Sequence, residues 1–254
     1  MSYIKAKGMV AREVAAGDYD KILTVITDDL GKISVSAKGA RRSGNRYSAG
    51  TQIFSYCEWT LYKGKSMYIL NSCDILNSFY QIREDLLLLA YAAHMLDMIQ
   101  DTTYENQAAK EPLSLLLYGL NALSQKDRNP ELIIRIFSLK LAQIMGFTPF
   151  LSGCCRCGTK DMDDIYFSYD YCGLICEKCC DNNKGVIQIK AGTAKALMYI
   201  ICAGVREAFS FELSAEVLKN FAEVVDKYVG DRLERKYCKL SFLKEIKEKE
   251  YKIY

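Results

Sequence analysis

The sequence predicts a multidomain α+β chain: a small five-stranded β barrel, then an α-helical domain into which a four-cysteine module is inserted. Three observations carry this. Apolar residues alternate with a period of two through residues 1 to 72, and the period becomes helical from about Ser78. Seven of the eleven cysteines then crowd between Cys154 and Cys180.

The strands come first. "YIKAKGMVAREV" reads as a strand, "AGDYD" as a turn and "KILTVIT" as a second strand. "DDLG" turns the chain into "KISVSA", and after a polar loop come "TQIFSYCEWTLY", the turn "KGK" and "SMYILNS". Five strands in about seventy residues fit a closed or partly closed barrel, with an OB-fold the leading candidate and an SH3-like barrel similar in pattern. In "TQIFSYCEWTLY", alternation puts Ile53, Cys57, Trp59 and Leu61 on one face to fill the barrel. Phe54, Tyr56 and Tyr62 then point outward, either to stack on bases or to pack against helices.

Helices follow. "QIREDLLLLAYAAHMLDMIQ" has a broad apolar face with acidic residues early, and Pro112 suits the first turn of "PLSLLLYGLNALSQ". Asn129 caps "PELIIRIFSLKLAQIMG", which Gly146 ends. Beyond the cysteines, "GTAKALMYIICAG", "SAEVLKNFAEVVDKYV" and "CKLSFLKEIKEK" predict three more helices. The expected division is residues 1–77 for the barrel and 78–254 for the helical domain, with the cysteine module at about 150–182.

The opening "MSYIKAKGMVAREV" lacks the apolar core of a secretory signal. The longest apolar run, Leu86 to Ala93, is far short of the roughly 20 residues that span a bilayer. A cytoplasmic setting with no membrane partner is expected, where cysteines stay reduced and structural disulfides are rare. The spacing then favours a metal. Cys154-x-x-Cys157 and Cys176-x-x-Cys179 are separated by eighteen residues, with "IYFSYDYCGLI" between them as a short hairpin. Two such turns close a tetrahedral four-thiolate site of the kind structural Zn²⁺ prefers, as in a zinc ribbon. Cys155, Cys172 and Cys180 remain as spare thiols or substitute ligands. A closed site of this type holds structure and leaves function to be found elsewhere.

Charge supplies the second clue. Residues 1 to 70 hold eleven Lys and Arg against six Asp and Glu, and Leu30 to Cys57 has no acidic residue. A loop expected to be flexible, "AKGARRSGNRYSAG", carries Lys38, Arg41, Arg42 and Arg46, with Lys21, Lys32, Lys63 and Lys65 elsewhere on the barrel. Glycines and serines beside arginines suit phosphates, so these eight residues are the expected DNA-binding set. No active site is legible. "GKS" at 64–66 has Trp59 where a phosphate-binding loop needs glycine, and His94 is the only histidine, on an apolar helix face. The expectation is a protein without catalytic residues.

Two motifs together resemble a known family. "GMVAREVAAGDYDKILTVITDDLGKISVSAKGARR", and "LAQIMGFTPFLSGCCRCG" followed by "YFSYDYCGLICEKC", are similar to the RecO family of bacterial recombination mediators. The resemblance covers about residues 4 to 180 well and the C-terminal helices more loosely. One departure is Cys172, where the family usually has glycine. The resemblance implies an OB-fold, a helical domain and a zinc module. It also implies binding of single- and double-stranded DNA, annealing of complementary strands, and, with RecR, help in loading RecA onto DNA coated by single-strand-binding protein. A DNA-bound fraction would then associate with the nucleoid. The acidic, apolar-ended tail of single-strand-binding protein would need an apolar groove flanked by cations. "PELIIRIFSLKLAQIMG" offers Arg135 and Lys140 for that partner.

Two other classes stay open from the residues alone. A zinc-ribbon transcription regulator would contact nucleic acid through the cysteine module, whose only basic residues, Arg156, Lys160 and Lys178, are outnumbered by acidic ones. A redox or metal-handling thiol protein would use the spare cysteines.

Overall fold

In the computed structural model of the chain, residues 3–125, 127–180 and 185–233 are described. They fall into two compact units, one running up to Ser124 and the other starting at Gln125. The segment read as a last helix, "CKLSFLKEIKEK", lies outside the described residues.

The first unit begins with β1 (Tyr3–Ala16), β2 (Asp20–Thr27), β3 (Gly31–Ala37), β4 (Tyr56–Lys63) and β5 (Tyr68–Asn77). They close into a barrel in the order β1-β2-β3-β5-β4. All pairings are antiparallel except the short β3–β5 seam, where Val35 meets Tyr68 and Ser36 meets Ile69. This is an OB-fold, and the seam removes the exposed edges an open sheet would leave. The period of two is what fills it. Val10, Leu23, Val25, Ile33, Val35, Cys57, Trp59 and Leu61 all turn inward and form one buried cluster. Trp59 is fully buried, and its indole N–H donates to the Gly8 carbonyl at 2.9 Å. That bond satisfies the one polar group the largest core side chain carries.

The fourth strand starts later than its alternation implies. Residues 51 to 55 form turns, and Phe54 adopts φ 70° with 2% of its surface exposed. Backbone bonds Val10 N–H to Ser55 O and Phe54 N–H to Val10 O pin this segment against the irregularity in β1 between Val10 and Arg12. The left-handed residue breaks the alternation, so Ile53 is absent from the barrel's buried cluster. Phe54 is buried on the outer side, lining a cavity with Leu89, Ala93 and Leu96, as the reading of it packing against helices expected. Cys57, Trp59 and Leu61 keep their place in the cluster.

Helices complete this unit. The run read as one helix is two, α1 (Tyr80–Glu84) and α2 (Leu86–Thr102), because Asp85 caps the second. Its backbone is extended, and its carboxylate accepts from the Leu87 and Leu88 N–H groups. α3 (Lys110–Leu123) carries Pro112 in its first turn, where the missing N–H costs nothing. The α2–α3 connection is sewn to the β2–β3 turn by Lys32 N–H to Tyr104 O and Ala109 N–H to Asp28 O. Gly31, at φ 70°, allows this approach: a Cβ there would lie 2.2 Å from the Tyr104 carbonyl oxygen.

The second unit is built round α4 (Pro130–Ile144). Asn129 caps it by accepting from the Glu131 N–H, Pro130 occupies the first helical position, and Gly146 leaves it at φ 90°. Leu132 to Ala142 are buried on nearly every side except Arg135, which makes α4 the central helix. It packs against α5 (Ala191–Cys202) and α6 (Ala215–Leu233). Between α4 and α5 lies a three-stranded sheet in the order β7-β6-β8, formed by β6 (Ile165–Ser168), β7 (Gly173–Cys176) and β8 (Val186–Ile189). The hairpin β6–β7 is the one read from "IYFSYDYCGLI"; β8 was not legible. No described helix is long and apolar enough to cross a membrane.

Candidate functional site

The two cysteine pairs are brought together by that hairpin. Register Ile165↔Cys176 sets the end of β7, after which a 3₁₀ turn, Glu177–Cys179, delivers Cys179. The other pair sits in a knuckle closed by Cys154 N–H to Thr159 O at 2.8 Å and Gly158 N–H to Cys154 O at 2.9 Å. The knuckle is fixed to β7 by Cys155 N–H to Leu174 O at 2.8 Å. As a result the sulfurs of Cys154, Cys157, Cys176 and Cys179 all lie within 4.8 Å of one another, with Cys157 and Cys176 3.7 Å apart. A tetrahedral ion with metal–sulfur bonds of about 2.3 Å needs sulfurs about 3.8 Å apart. The four side chains can therefore hold one metal ion with little movement.

The thiols' acidity fits the same conclusion. Burial pushes Cys154 up, but the backbone N–H groups of Cys157, Cys176 and Arg156 and the Cys157 thiol outweigh it and bring Cys154 down to about 6. Cys179 is pushed up to about 12 by hydrogen bonding to the Cys157 thiol, then by burial and by the Cys176 and Cys154 sulfurs. Cys154 is thus favoured as the thiolate and Cys179 as the thiol. A divalent cation removes that competition, since it favours every thiolate at once. Four protein thiolates on one such ion would leave no coordination position open for water or substrate.

The spare thiols stand outside this set. Cys172 faces the Tyr169 and Asp170 carbonyls, at 3.6 and 3.9 Å. Its φ of 55° is the left-handed conformation that glycine adopts freely.

The basic residues of the barrel separate into two groups. The loop carrying Lys38, Arg41, Arg42 and Arg46 is a run of hydrogen-bonded turns where a flexible loop was expected. Arg42 N–H donates to Gly39 O, Asn45 N–H to Arg42 O and Ser48 N–H to Asn45 O. The Asn45 side chain bridges Gly39 O at 2.7 Å and the Tyr47 N–H at 2.7 Å. All four cations are exposed on this loop, as are Lys63 and Lys65 at the β4–β5 turn. Lys21 and Lys32 are engaged internally. The Lys21 ammonium pairs with Glu13 at 2.6 Å, and that of Lys32 donates to Gln100 O at 2.8 Å.

The two cations read on α4 are also engaged. Arg135 pairs with Asp226 at 2.9 Å. Lys140 is 5% exposed, and its ammonium donates to Ala203 O at 2.6 Å, Ile201 O at 3.3 Å and Gln143 Oε1 at 3.0 Å. Burial holds its pKa below the usual lysine value. Lys140 therefore corrects the sequence reading: it joins α4 to the end of α5, where a surface cation was expected. Sequence reasoning also missed Tyr19, an exposed aromatic at the β1–β2 turn with the Arg42 guanidinium 4.9 Å from its ring centre. Its only signal was an aromatic residue inside "AGDYD".

Comparison with known proteins agrees along the chain. Residues 1–79 match the family model described as recombination protein O N terminal, and residues 83–241 match recombination protein O C terminal. A DNA repair protein RecO of Acetivibrio thermocellus is 46% identical over 97% of this chain and 98% of its own length. Those of Symbiobacterium thermophilum and Alkaliphilus metalliredigens are 32% and 33% identical, over 96% and 91% of this chain and 97% and 94% of their own lengths. With both family models matched in order and relatives covered almost end to end, the chain belongs to the RecO family of DNA repair proteins.

Proposed function

We propose that this chain is a non-enzymatic recombination mediator. It binds single- and double-stranded DNA through the exposed loop of the barrel, anneals complementary strands and, with RecR, assists RecA loading onto DNA coated by single-strand-binding protein. The observation that supports this best is the loop itself: four cations held on an acid-free run of turns beside the β1–β2 turn. Annealing makes and breaks no covalent bond. A surface that screens phosphate repulsion and keeps two strands close is sufficient. A Zn²⁺ ion held by Cys154, Cys157, Cys176 and Cys179 would supply cross-linking of the module and no reaction step.

For the tail of single-strand-binding protein, the second unit contains a cavity of about 300 Å³ on α4, where Leu132, Ile133 and Ile136 face Phe209 and Phe211. Its cation is Arg128, which also donates to the Phe209 carbonyl. Its apolar lining would take an apolar chain end, while Asp127 and Glu212 beside Arg128 disfavour further acidic residues there.

The test is DNA affinity against salt. If Lys38, Arg41, Arg42 and Arg46 each neutralise one phosphate of a single strand, log affinity falls against log salt with a slope of about −3. Affinity then drops about 50-fold between about 50 and about 200 mM salt. Arg41→Glu with Arg42→Glu should reduce the slope to about −1.4 and the drop to about 7-fold, for all sequences alike. Unchanged affinity in the folded double variant removes the loop from the DNA site.

A further inference from the structure

We infer that Tyr19 is a stacking position for an unpaired base, which would let the barrel distinguish single-stranded from duplex DNA. This rests on the DNA-binding reading above and adds a residue of different chemistry to it. The β1–β2 turn, with Gly17 at φ 57°, lifts the Tyr19 ring into solvent, leaving it 52% exposed. The basic loop is then fastened to this turn at three points. Arg41 N–H donates to Tyr19 O at 2.9 Å, the Arg41 guanidinium to Gly17 O at 3.1 Å, and Gly39 N–H to the Asp20 carboxylate at 2.7 Å. Arg42 lies over the ring, its guanidinium carbon 4.9 Å from the centroid.

The consequence is local. One face of the ring is covered by a cation, the ring stays half exposed, and Arg41, on the loop bonded to this turn, stands beside it. An unpaired nucleotide presents a flat base and a charged phosphate at adjacent positions. The ring matches the first and the guanidiniums match the second. In a duplex the base faces are already stacked on one another, so only the phosphate contacts remain. A second arginine–tyrosine stack stands further along the loop. There Arg46 lies 4.6 Å from the Tyr47 ring centre, and the Tyr47 hydroxyl donates to Asn71 O on β5. Tyr47 is the more enclosed of the two, so Tyr19 is the ring that meets the base.

The experiment uses the full chain and fluorescence anisotropy with labelled oligo(dT) and a blunt duplex of the same length, each titrated at several salt concentrations. Tyr19→Ala should weaken oligo(dT) binding by about 5- to 150-fold, the range for losing one stacked base, and leave duplex binding within about twofold. The salt slope for oligo(dT) should stay that of the parent, because no phosphate contact is lost. Tyr19→Phe should retain the parent affinity. An equal loss for duplex, a shallower salt slope, or no loss at all overturns the assignment. Thermal melting of each variant identifies a folding defect, and quenching of 2-aminopurine placed within the oligo(dT) reports stacking directly. If the Arg41→Glu, Arg42→Glu variant loses DNA binding while Tyr19→Ala does not, stacking fails and the DNA face stands. If neither variant changes binding, the face itself is wrong.

Discussion

Replacing the clustered cysteines one at a time separates metal ligands from spare thiols. The four sulfurs already lie within 4.8 Å of one another, so none is held off and each carries a comparable share of the binding energy. Structural zinc in small modules contributes about 10–16 kcal/mol, so an equal quarter is about 2.5–4 kcal/mol. Cys154→Ser, Cys157→Ser, Cys176→Ser or Cys179→Ser should then each weaken zinc binding by about 60- to 800-fold. Local structure should go with the metal, because two of the three buried residues in the module's small cluster, Cys154 and Cys176, belong to the proposed ligand set, with Ile175 the third. Zinc per chain, measured by elemental analysis of protein purified without added metal, should be near one for the parent. Competition against a chromogenic chelator gives the affinity change, and hydrogen exchange should show protection lost in the knuckle of each ligand variant. Cys155→Ser and Cys172→Ser are the controls and should keep the metal. Parent protein without zinc, a ligand variant that retains full affinity, or a control that loses it would refute the assignment.

Three further outcomes follow from single contacts. Cys172→Gly should keep the metal and be neutral or stabilising by up to about 1 kcal/mol in a thermal melt, since φ 55° strains any side chain there. Lys140→Ala should destabilise by about 1–3 kcal/mol through the lost bond to the Ala203 carbonyl, Ile201 O keeping its bond from Gln143, and leave DNA affinity untouched; loss of DNA binding at full stability would contradict that role. Gly50→Ala should cost about 1–3 kcal/mol in denaturant unfolding, because a Cβ there would lie 2.6 Å from the Cys73 sulfur and 3.5 Å from that of Cys57.

The parts of this molecule legible in its sequence are those set by short-range geometry. A period of two fixes which side of a strand meets the core, so Cys57, Trp59 and Leu61 could be placed without knowing the strand order. A two-residue gap between cysteines fixes a knuckle, so the four ligand candidates could be named before the hairpin that joins them. The misses share a different cause. Ile53 drops out of the barrel face because Phe54, at φ 70°, ends the extended backbone, and the signal for that lies in Val10 and Ser55, which the chain brings alongside. Asp85 splits a helix because a carboxylate can cap as readily as it can decorate an exposed face. The four residues of β8 are too few to show a period.

Charge was the least transferable signal, and the reason bears on function. A lysine's sequence context does not say whether its ammonium is already committed. Lys21 is satisfied by Glu13, Lys32 by Gln100 and Lys140 by Ile201 and Ala203, and each of those partners is distant in sequence or across a strand pair. Lys38, Arg41, Arg42 and Arg46 differ because their loop has no acidic residue and spends its internal hydrogen bonds on Gly39, Asn45 and Tyr47. Arg41 gives one bond to the Gly17 carbonyl and keeps its charge exposed. Cations that hold a fold together need acceptors nearby, whereas cations that meet phosphate need those acceptors to be absent. The acid-free stretch from Leu30 to Cys57 supplies that absence, which makes its lack of Asp and Glu more informative than the chain's small net charge.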